Sequence, residues 1–277
     1  MLNELLKTES KNNPNNLESH IFDLNRSQEI HNLYQSYDGK AEFLYIPSLN
    51  EIQDVIKLHK GCYYGMQDKA GNIVSLMKLE KLQLPSPFFV PPAYEKEDGQ
   101  FLGLSGLLVA KNYRKQGIAR TMITNALNSL VQGNYKGIYA DCDYRNVASF
   151  STLSSFLNFI GYADGRNGEE GEKTIYTTFY LSFTEKEKYM TPNLNLDFSK
   201  CTNLEEVNQI LQKRMSNLGN FSTHTVPYGQ GYNLLHVFDK PIRQETISLS
   251  LPDEKQVTIT KKSINIEKCK PQGRQYE

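Results

Sequence analysis

The stretch Leu107-Leu-Val-Ala-Lys-Asn-Tyr-Arg-Lys-Gln-Gly-Ile-Ala-Arg120 governs how this chain is read. Before it, the apolar run Phe101–Val109, with Gly103 and Gly106 inside, reads as a strand. After it, Ile118, Ala119, Met122, Ile123, Ala126, Leu127, Leu130 and Val131 make one apolar stripe. That spacing predicts a helix from about Gly117 to Gln132, with Gly133 at its C′ position. The first amides of such a helix have no partner inside it and carry the positive end of its dipole. A strand that turns through a polar loop into a helix start is a preformed anion site, suited to a pyrophosphate. Gly117 permits close backbone approach and the small Ala119 keeps the way open. Arg114, Lys115 and Arg120 add positive charge. The spacing is neither that of a Walker loop nor that of the three-glycine dinucleotide fingerprint. Taken alone, a basic loop with one glycine is more readily a solvated turn, so the flanks decide.

Upstream, Phe43–Ile46 reads as a short strand. Ser48 is placed to cap a helix with Ile52, Val55, Ile56 and Leu58 near helical spacing, ending before Gly61. Cys62–Gln67 and Ile73–Leu79, joined by Asp68-Lys-Ala-Gly71, form a hairpin. The proline-rich Pro85–Tyr94 cannot be a central strand. Together with Glu95, Glu97 and Asp98 it is either a wall of an acceptor pocket or a plain connecting loop. Downstream come a strand at Ile138–Cys142, a helix at Val147–Ile160, a glycine loop at Gly161–Gly171 and a strand at Thr174–Phe183. This order predicts an α/β fold with a mixed central sheet.

Residues 1–40 are a polar extension, with a turn or flexible stretch at Lys11–Asn16 and a short helix around Ser27–Tyr37. Residues 184–277 read as a small α+β module. It begins with a linker, Glu185–Asn195, followed by a helix over Asn203–Gly219. Strands at Phe221–Val226 and Asn233–Phe238 come next, then a hairpin of Glu245–Ser250 with Gln256–Lys261. No internal repeat links this part to the first.

The 277 residues are 39% hydrophobic and 22% charged, which suits a globular protein. Lys plus Arg and Asp plus Glu are both 31, and this balance points away from nucleic acid and from a polybasic membrane anchor. No apolar run approaches a spanning length, and the first residues lack a secretory pattern. The four cysteines are scattered without a C-x-x-C pair, so a cytoplasmic location is expected. The dispersed histidines offer no metal ligand set.

With its flanks, the loop resembles the GNAT superfamily of N-acetyltransferases. Arg114, Gly117 and Ala119 match the loop signature Arg/Gln-x-x-Gly-x-Gly/Ala, Leu107-x-Val109 precedes it on a strand, and an amphipathic helix follows. Asn146-Val-Ala-Ser149 opening a second helix, then Gly161-Tyr162, complete the order. The resemblance covers residues 41–183 and none of 184–277. It implies a GNAT-type sheet flanked by helices, with the C-terminal α+β module added. It implies acetyl-CoA as co-substrate, no metal, and direct acyl transfer to an amine, either a small molecule or a protein, in a ternary complex. It leaves room for a homodimer. In that reading the backbone of Leu107, Leu108 and Val109 holds the pantetheine arm and thioester. Amides of Arg114, Lys115, Gln116, Gly117, Ile118 and Ala119, helped by Arg120, hold the pyrophosphate. Asn146, with Ser149 beside it, binds the cofactor arm where two central strands splay apart.

The strand residue five before that asparagine often carries the family's carboxylate base, which here is Asp141. Tyr139, Asp141 and Asp143 alternate on one strand face. Asp141 is either the base or a structural partner of Arg145 or a lysine. Asn146 is a cofactor ligand, a plain helix cap, or both. Cys142, on the opposite face, reads as a buried thiol rather than an acyl carrier. One departure stands out: many relatives carry a tyrosine seven residues after the asparagine, and here that residue is Leu153. Ser154, Ser155, Tyr144 and Tyr162 are the replacements at hand, with Ser155 and Tyr144 foremost. Two other readings stay open. The missing tyrosine favours a non-catalytic GNAT-fold module that binds or senses acyl-CoA. The C-terminal module allows a protein acetyltransferase that docks its acceptor there.

Overall fold

The computed structural model describes residues 2–6, 17–39, 43–82, 89–91, 100–167, 172–183, 190–228, 231–240, 242–252 and 256–260. The chain divides into two compact units, one drawn from Met1–Lys81 and Gln100–Tyr135, the other from Leu82–Gly99 and Lys136–Ser263. The fold is α/β.

In the first unit the elements are α1 (Leu2–Leu5), β1 (Glu18–Phe22), α2 (Ser27–Gln35), α3 (Leu49–Lys57), β2 (Gly61–Gln67), β3 (Ile73–Lys81), β4 (Gln100–Val109) and α4 (Ile118–Leu130). Strands β1 to β4 pair in sequence order, each antiparallel to the next. The turn joining β2 to β3 is held by Asp68, whose Oδ1 accepts from the amides of Ala70 and Asn72, both at 2.9 Å. Helix α3 starts where Ser48 predicts, with a reciprocal capping box between Ser48 and Glu51. Ile30, Ile52 and Leu76 are fully buried in a core shared with Phe22, Tyr34, Tyr63 and Leu108. Each such aliphatic side chain contributes about 1.5–3 kcal/mol.

Two readings differ from the sequence here. Phe43–Ile46 forms no strand, and Tyr45 and Ile46 are exposed; the Tyr45 hydroxyl donates to Glu51 instead. Within residues 17–39, β1 pairs with β2 while Ile30, Leu33 and Tyr34 of α2 enter the core. The expected helix around Ser27–Tyr37 is present as α2, and what is corrected is the reading of this stretch as a polar extension, since its few apolar positions reach the core. Lys11–Asn16 lies outside the described residues.

In the second unit the elements are β5 (Tyr135–Asp143), α5 (Val147–Ser154), β6 (Asn158–Asn167), β7 (Glu172–Ser182), β8 (Met190–Asp197), α6 (Leu204–Leu218), β9 (Phe221–Tyr228), β10 (Gly231–Phe238), β11 (Arg243–Ser250) and β12 (Val257–Thr260). The strand order is β5-β7-β6-β10-β9 in one sheet and β12-β11-β8 in the other. The helix expected to run to Ile160 stops at Ser154, and the expected glycine loop from Gly161 is mostly β6. Ser154 and Ser155 donate their hydroxyls back to Phe150 and Ser151, and the chain leaves the helix there. The expected linker holds a strand, β8, from Met190 onward.

The C-terminal strands are not all set apart. β10 pairs with β6, from Leu234 opposite Asp164 to Val237 opposite Gly161. A Cβ on Gly161 would collide with the carbonyl of His236, so this close approach requires glycine. At the β6 bulge, Gln244 from β11 completes the hydrogen bonding. Its Oε1 accepts from the Phe159 amide at 3.0 Å and its Nε2 donates to the Phe159 carbonyl at 2.9 Å.

Candidate functional site

The distinctive backbone of the first unit begins in β4. Leu76 pairs with Leu108 but Lys78 pairs with Ser105, so two steps along β3 match three along β4. This is a β-bulge on β4, and Gly106 adopts φ 58°, as the left-handed residue of such a bulge does. Tyr34 donates its hydroxyl to the Gly106 carbonyl at 3.2 Å, and a Cβ on Gly106 would strike that hydroxyl. The bulge takes one residue out of the ladder beside Leu107, Leu108 and Val109, the residues whose backbone the sequence reading assigns to the cofactor arm.

The loop then closes on itself. The Ala110 amide bonds the Val74 carbonyl at 2.8 Å, and a single 3-10 turn covers Lys111–Tyr113. Gln116 Nε2 donates to the Asn112 carbonyl at 3.0 Å. Lys115 has φ 62° and Gly117 φ 77°, two left-handed residues in three. Turns of this kind gather successive amides into an anion-binding concavity. Gly117 is the N-cap of α4 and supplies no side-chain cap, so the first amides of the helix keep their donor capacity. Lys115, Gln116, Gly117 and Arg120 are exposed, Ile118 is buried in the core and Ala119 is half-buried. A Cβ built on Gly117 meets nothing within 4 Å, so the space before the helix is open. The residues present therefore fit a diphosphate.

Arg114 is used differently from the other cations. Its Nε donates to the Val109 carbonyl at 3.0 Å and its Nη1 to Asp38 Oδ1 at 2.6 Å. Lys111 Nζ meets Asp38 Oδ2 at 3.1 Å. The Arg114 guanidinium first, and then Lys111, hold the Asp38 carboxyl down at about 2. Among the described residues neither Lys115 nor Arg120 forms an ion pair. Asp38 carries no signal in the sequence, since it lies in a polar stretch 76 positions from Arg114.

In the second unit the carboxylates of β5 divide their work. Asp143 is buried, and its oxygens accept from Arg145 Nε at 2.9 Å, Arg145 Nη2 at 2.7 Å, the Arg145 amide at 2.8 Å and the Thr174 hydroxyl at 2.7 Å. Arg145 thus belongs to Asp143, and the sequence alternative that paired it with Asp141 is corrected. Asp141 is half-buried and accepts from the Tyr139 hydroxyl at 2.7 Å. Burial raises the Asp141 carboxyl above its ordinary range, against the lowering effect of the Tyr139 hydrogen bond. Tyr139 is clamped by Phe89, ring centroids 4.5 Å apart, and Phe89 also stacks on Tyr180 at 5.8 Å. Phe89 comes from the proline-rich segment; its acidic neighbours Glu95, Glu97 and Asp98 lie outside the described residues.

Asn146 caps α5, its Oδ1 accepting from the Ser149 amide at 3.1 Å. The Ser155 hydroxyl is buried and donates to Ser151 at 2.7 Å. Tyr144 packs edge-on to Phe198 with its ring centroid 5.5 Å away, and burial pushes its phenol up. Tyr162 donates to Asn208 of α6, and Leu153 is buried. The Cys142 thiol lies 3.4 Å from the Thr177 hydroxyl, and burial pushes it far above the usual thiol range. Such a thiol is a poor nucleophile. No helix among the described residues is long and apolar enough to cross a membrane.

The model of the acetyltransferase (GNAT) family matches residues 27–156. Among solved structures, the ribosomal-protein-S5-alanine acetyltransferase from Vibrio fischeri is 13% identical, with a TM-score of 0.50 over 65% of this chain and 98% of that one. An N-acetyltransferase from Staphylococcus aureus Mu50 is 12% identical, with a TM-score of 0.48 over 61% and 99%. Arabidopsis thaliana NAA60 in complex with acetyl-CoA is 12% identical, with a TM-score of 0.47 over 60% and 98%. At such identities the likeness is one of fold. No curated protein matches by sequence. Residues 27–156 therefore form a domain of the GNAT acetyltransferase family.

Proposed function

We propose that this protein transfers an acetyl or other acyl group from acyl-CoA to an amine, by direct attack of the amine on the thioester. The observation that carries this is the exposed start of α4, uncapped by any side chain and preceded by two left-handed residues. The amides from Arg114 to Ala119, with the charges of Lys115 and Arg120, take the pyrophosphate. Backbone groups of Leu107 to Val109, beside the bulge, take the pantetheine arm and polarise the thioester carbonyl. Asn146 adds a hydrogen bond to the cofactor arm through the part of its amide not used in capping. The ribosomal-protein-S5-alanine acetyltransferase named above acts on an alanine of a protein, which supports an amine acceptor here.

Asp141 takes the proton of the attacking ammonium, directly or through water. The neutral amine nitrogen then bonds to the acyl carbon, the carbon–sulfur bond breaks, the thiolate of coenzyme A departs with the bonding pair, and the second nitrogen proton is released to water. Ser155 already donates its proton to Ser151, so of the two expected hydroxyls Tyr144 is retained to protonate the thiolate. The first test is release of free thiol from acetyl-CoA with a panel of polyamines, amino acids, amino sugars and peptides. At least one amine should accelerate release, and Asp141→Asn should slow that reaction at least about 10²-fold while leaving coenzyme A affinity nearly unchanged. Coenzyme A binding with no amine-dependent release would establish a binding or sensing module instead, the reading that Leu153 favours.

A further inference from the structure

Arg114 stands first in the family's loop signature, yet its guanidinium bonds back into the protein. Nε reaches the Val109 carbonyl at the end of β4, and Nη1 reaches Asp38, three residues beyond α2. The same carboxylate takes Lys111 on its other oxygen. One acidic group thus grips both ends of the 3-10 turn Lys111–Tyr113, and Arg114 closes the chain back onto Val109.

We propose that Asp38 is the positioning residue of the acyl-CoA loop, acting through Arg114, which serves as a brace and not as a phosphate ligand. This rests on the functional reading above. By charge alone a carboxylate here is unfavourable, because it neutralises two cations next to a site for a diphosphate and adds a repulsive charge of its own. Its presence makes sense through geometry. Lys115 has to hold a left-handed backbone that a side-chain-bearing residue adopts at a cost, and the segment just before it must be pinned for that conformation to persist. Arg114 is suited to the task, since its planar fork can bond a carbonyl and a carboxylate in fixed directions at once, as a lysine cannot.

The two roles for Arg114 predict opposite signs. If Asp38 orients the amides, removing it disorders them and weakens ligand binding. If Arg114 is a phosphate ligand held in check by Asp38, removing the carboxylate frees a cation and strengthens binding. The experiment is calorimetric titration of coenzyme A into the full chain and its variants at several salt concentrations. The ion pair is exposed, and such pairs add little to global stability, so the variants should fold; thermal melting checks this. Asp38→Ala and Arg114→Ala should each weaken binding roughly tenfold, by misplacing the loop. The double variant should be no weaker than either single one, since the pair acts as a unit. Asp38→Glu should restore part of the loss, and Arg114→Lys should not. The slope of log Kd against log salt should stay that of the unaltered chain in Arg114→Ala, because the cations that meet the phosphates, Lys115 and Arg120, are both retained. With acetyl-CoA and an amine acceptor, KM for acetyl-CoA should rise while kcat at saturation holds. Equal or tighter binding by Asp38→Ala, or a flatter salt slope in Arg114→Ala, would overturn the brace while leaving the function standing. Absence of coenzyme A binding by the unaltered chain would overturn both.

Discussion

Asp141 and Asp143 lie two residues apart on one face of β5 and have opposite surroundings. Asp143 is saturated by donors from Arg145 and Thr174, which suits a structural charge. Asp141 has the Tyr139 hydroxyl, and burial raises its carboxyl above the ordinary range, which marks it as the candidate proton acceptor. A base acts only when ionised, so the rate should climb as pH rises through the Asp141 pKa. Tyr139→Phe removes a donor that favours the carboxylate; the pKa then goes further up, and the acid limb of the kcat/KM profile moves to higher pH. A limb that stays put or moves down would show that Asp141 is not the titrating base. Asp141 was legible because strand alternation and its distance from Asn146 both mark it. The partner of Arg145 was not, since a side chain on the turn can reach either carboxylate. Asp38 was invisible for a plainer reason: nothing local in a polar stretch reports a contact made 76 positions away.

Among the elements, α4 and β4 are the most readable. A long apolar stripe and a mostly apolar run leave little room for another conformation, and glycines mark the bulge and the cap. Helix α5 and strand β6 show the opposite case. The apolar residues Leu153, Phe156, Leu157 and Ile160 fit a helical period, yet the chain leaves the helix after Ser154 and all four are buried without it. Neighbours decide: β7 pairs with β6 on one side, β10 on the other, and Gln244 bonds the bulge. Gly161 permits that arrangement, because its missing Cβ admits the His236 carbonyl. Gly161→Ala should therefore destabilise the protein by about 1–3 kcal/mol, seen as a lowered midpoint in denaturant unfolding. A midpoint within error of the unaltered chain would mean that β10 is not seated on β6 as described.

At the scale of the whole chain, the boundary drawn after Phe183 from a change in composition does not coincide with a break in hydrogen bonding. Residues beyond it supply β10 to the edge of β6 and Gln244 to the backbone of Phe159, and α6 buries Val207, Leu211 and Met215. A chain ending at Phe183 would leave the buried Phe159 amide and carbonyl without these partners, at about 1–3 kcal/mol for each group. It should be insoluble or lack a cooperative melting transition. A soluble, cooperatively melting fragment would contradict this and restore an independent module. Linear periodicity cannot show such pairing, because strand partners are chosen by contacts distant in sequence.

The central claim is that the start of α4 at Gly117 holds the two linked phosphates of an acyl-CoA. The most direct measurement compares coenzyme A with pantetheine, which lacks the diphosphate, by calorimetric titration into the unaltered chain and into a Lys115→Glu/Arg120→Glu variant. Coenzyme A should bind the variant at least about tenfold more weakly, with pantetheine affinity unchanged, since only the diphosphate meets the reversed charges. Coenzyme A affinity that survives the reversal, or an equal loss for both ligands, would contradict the account.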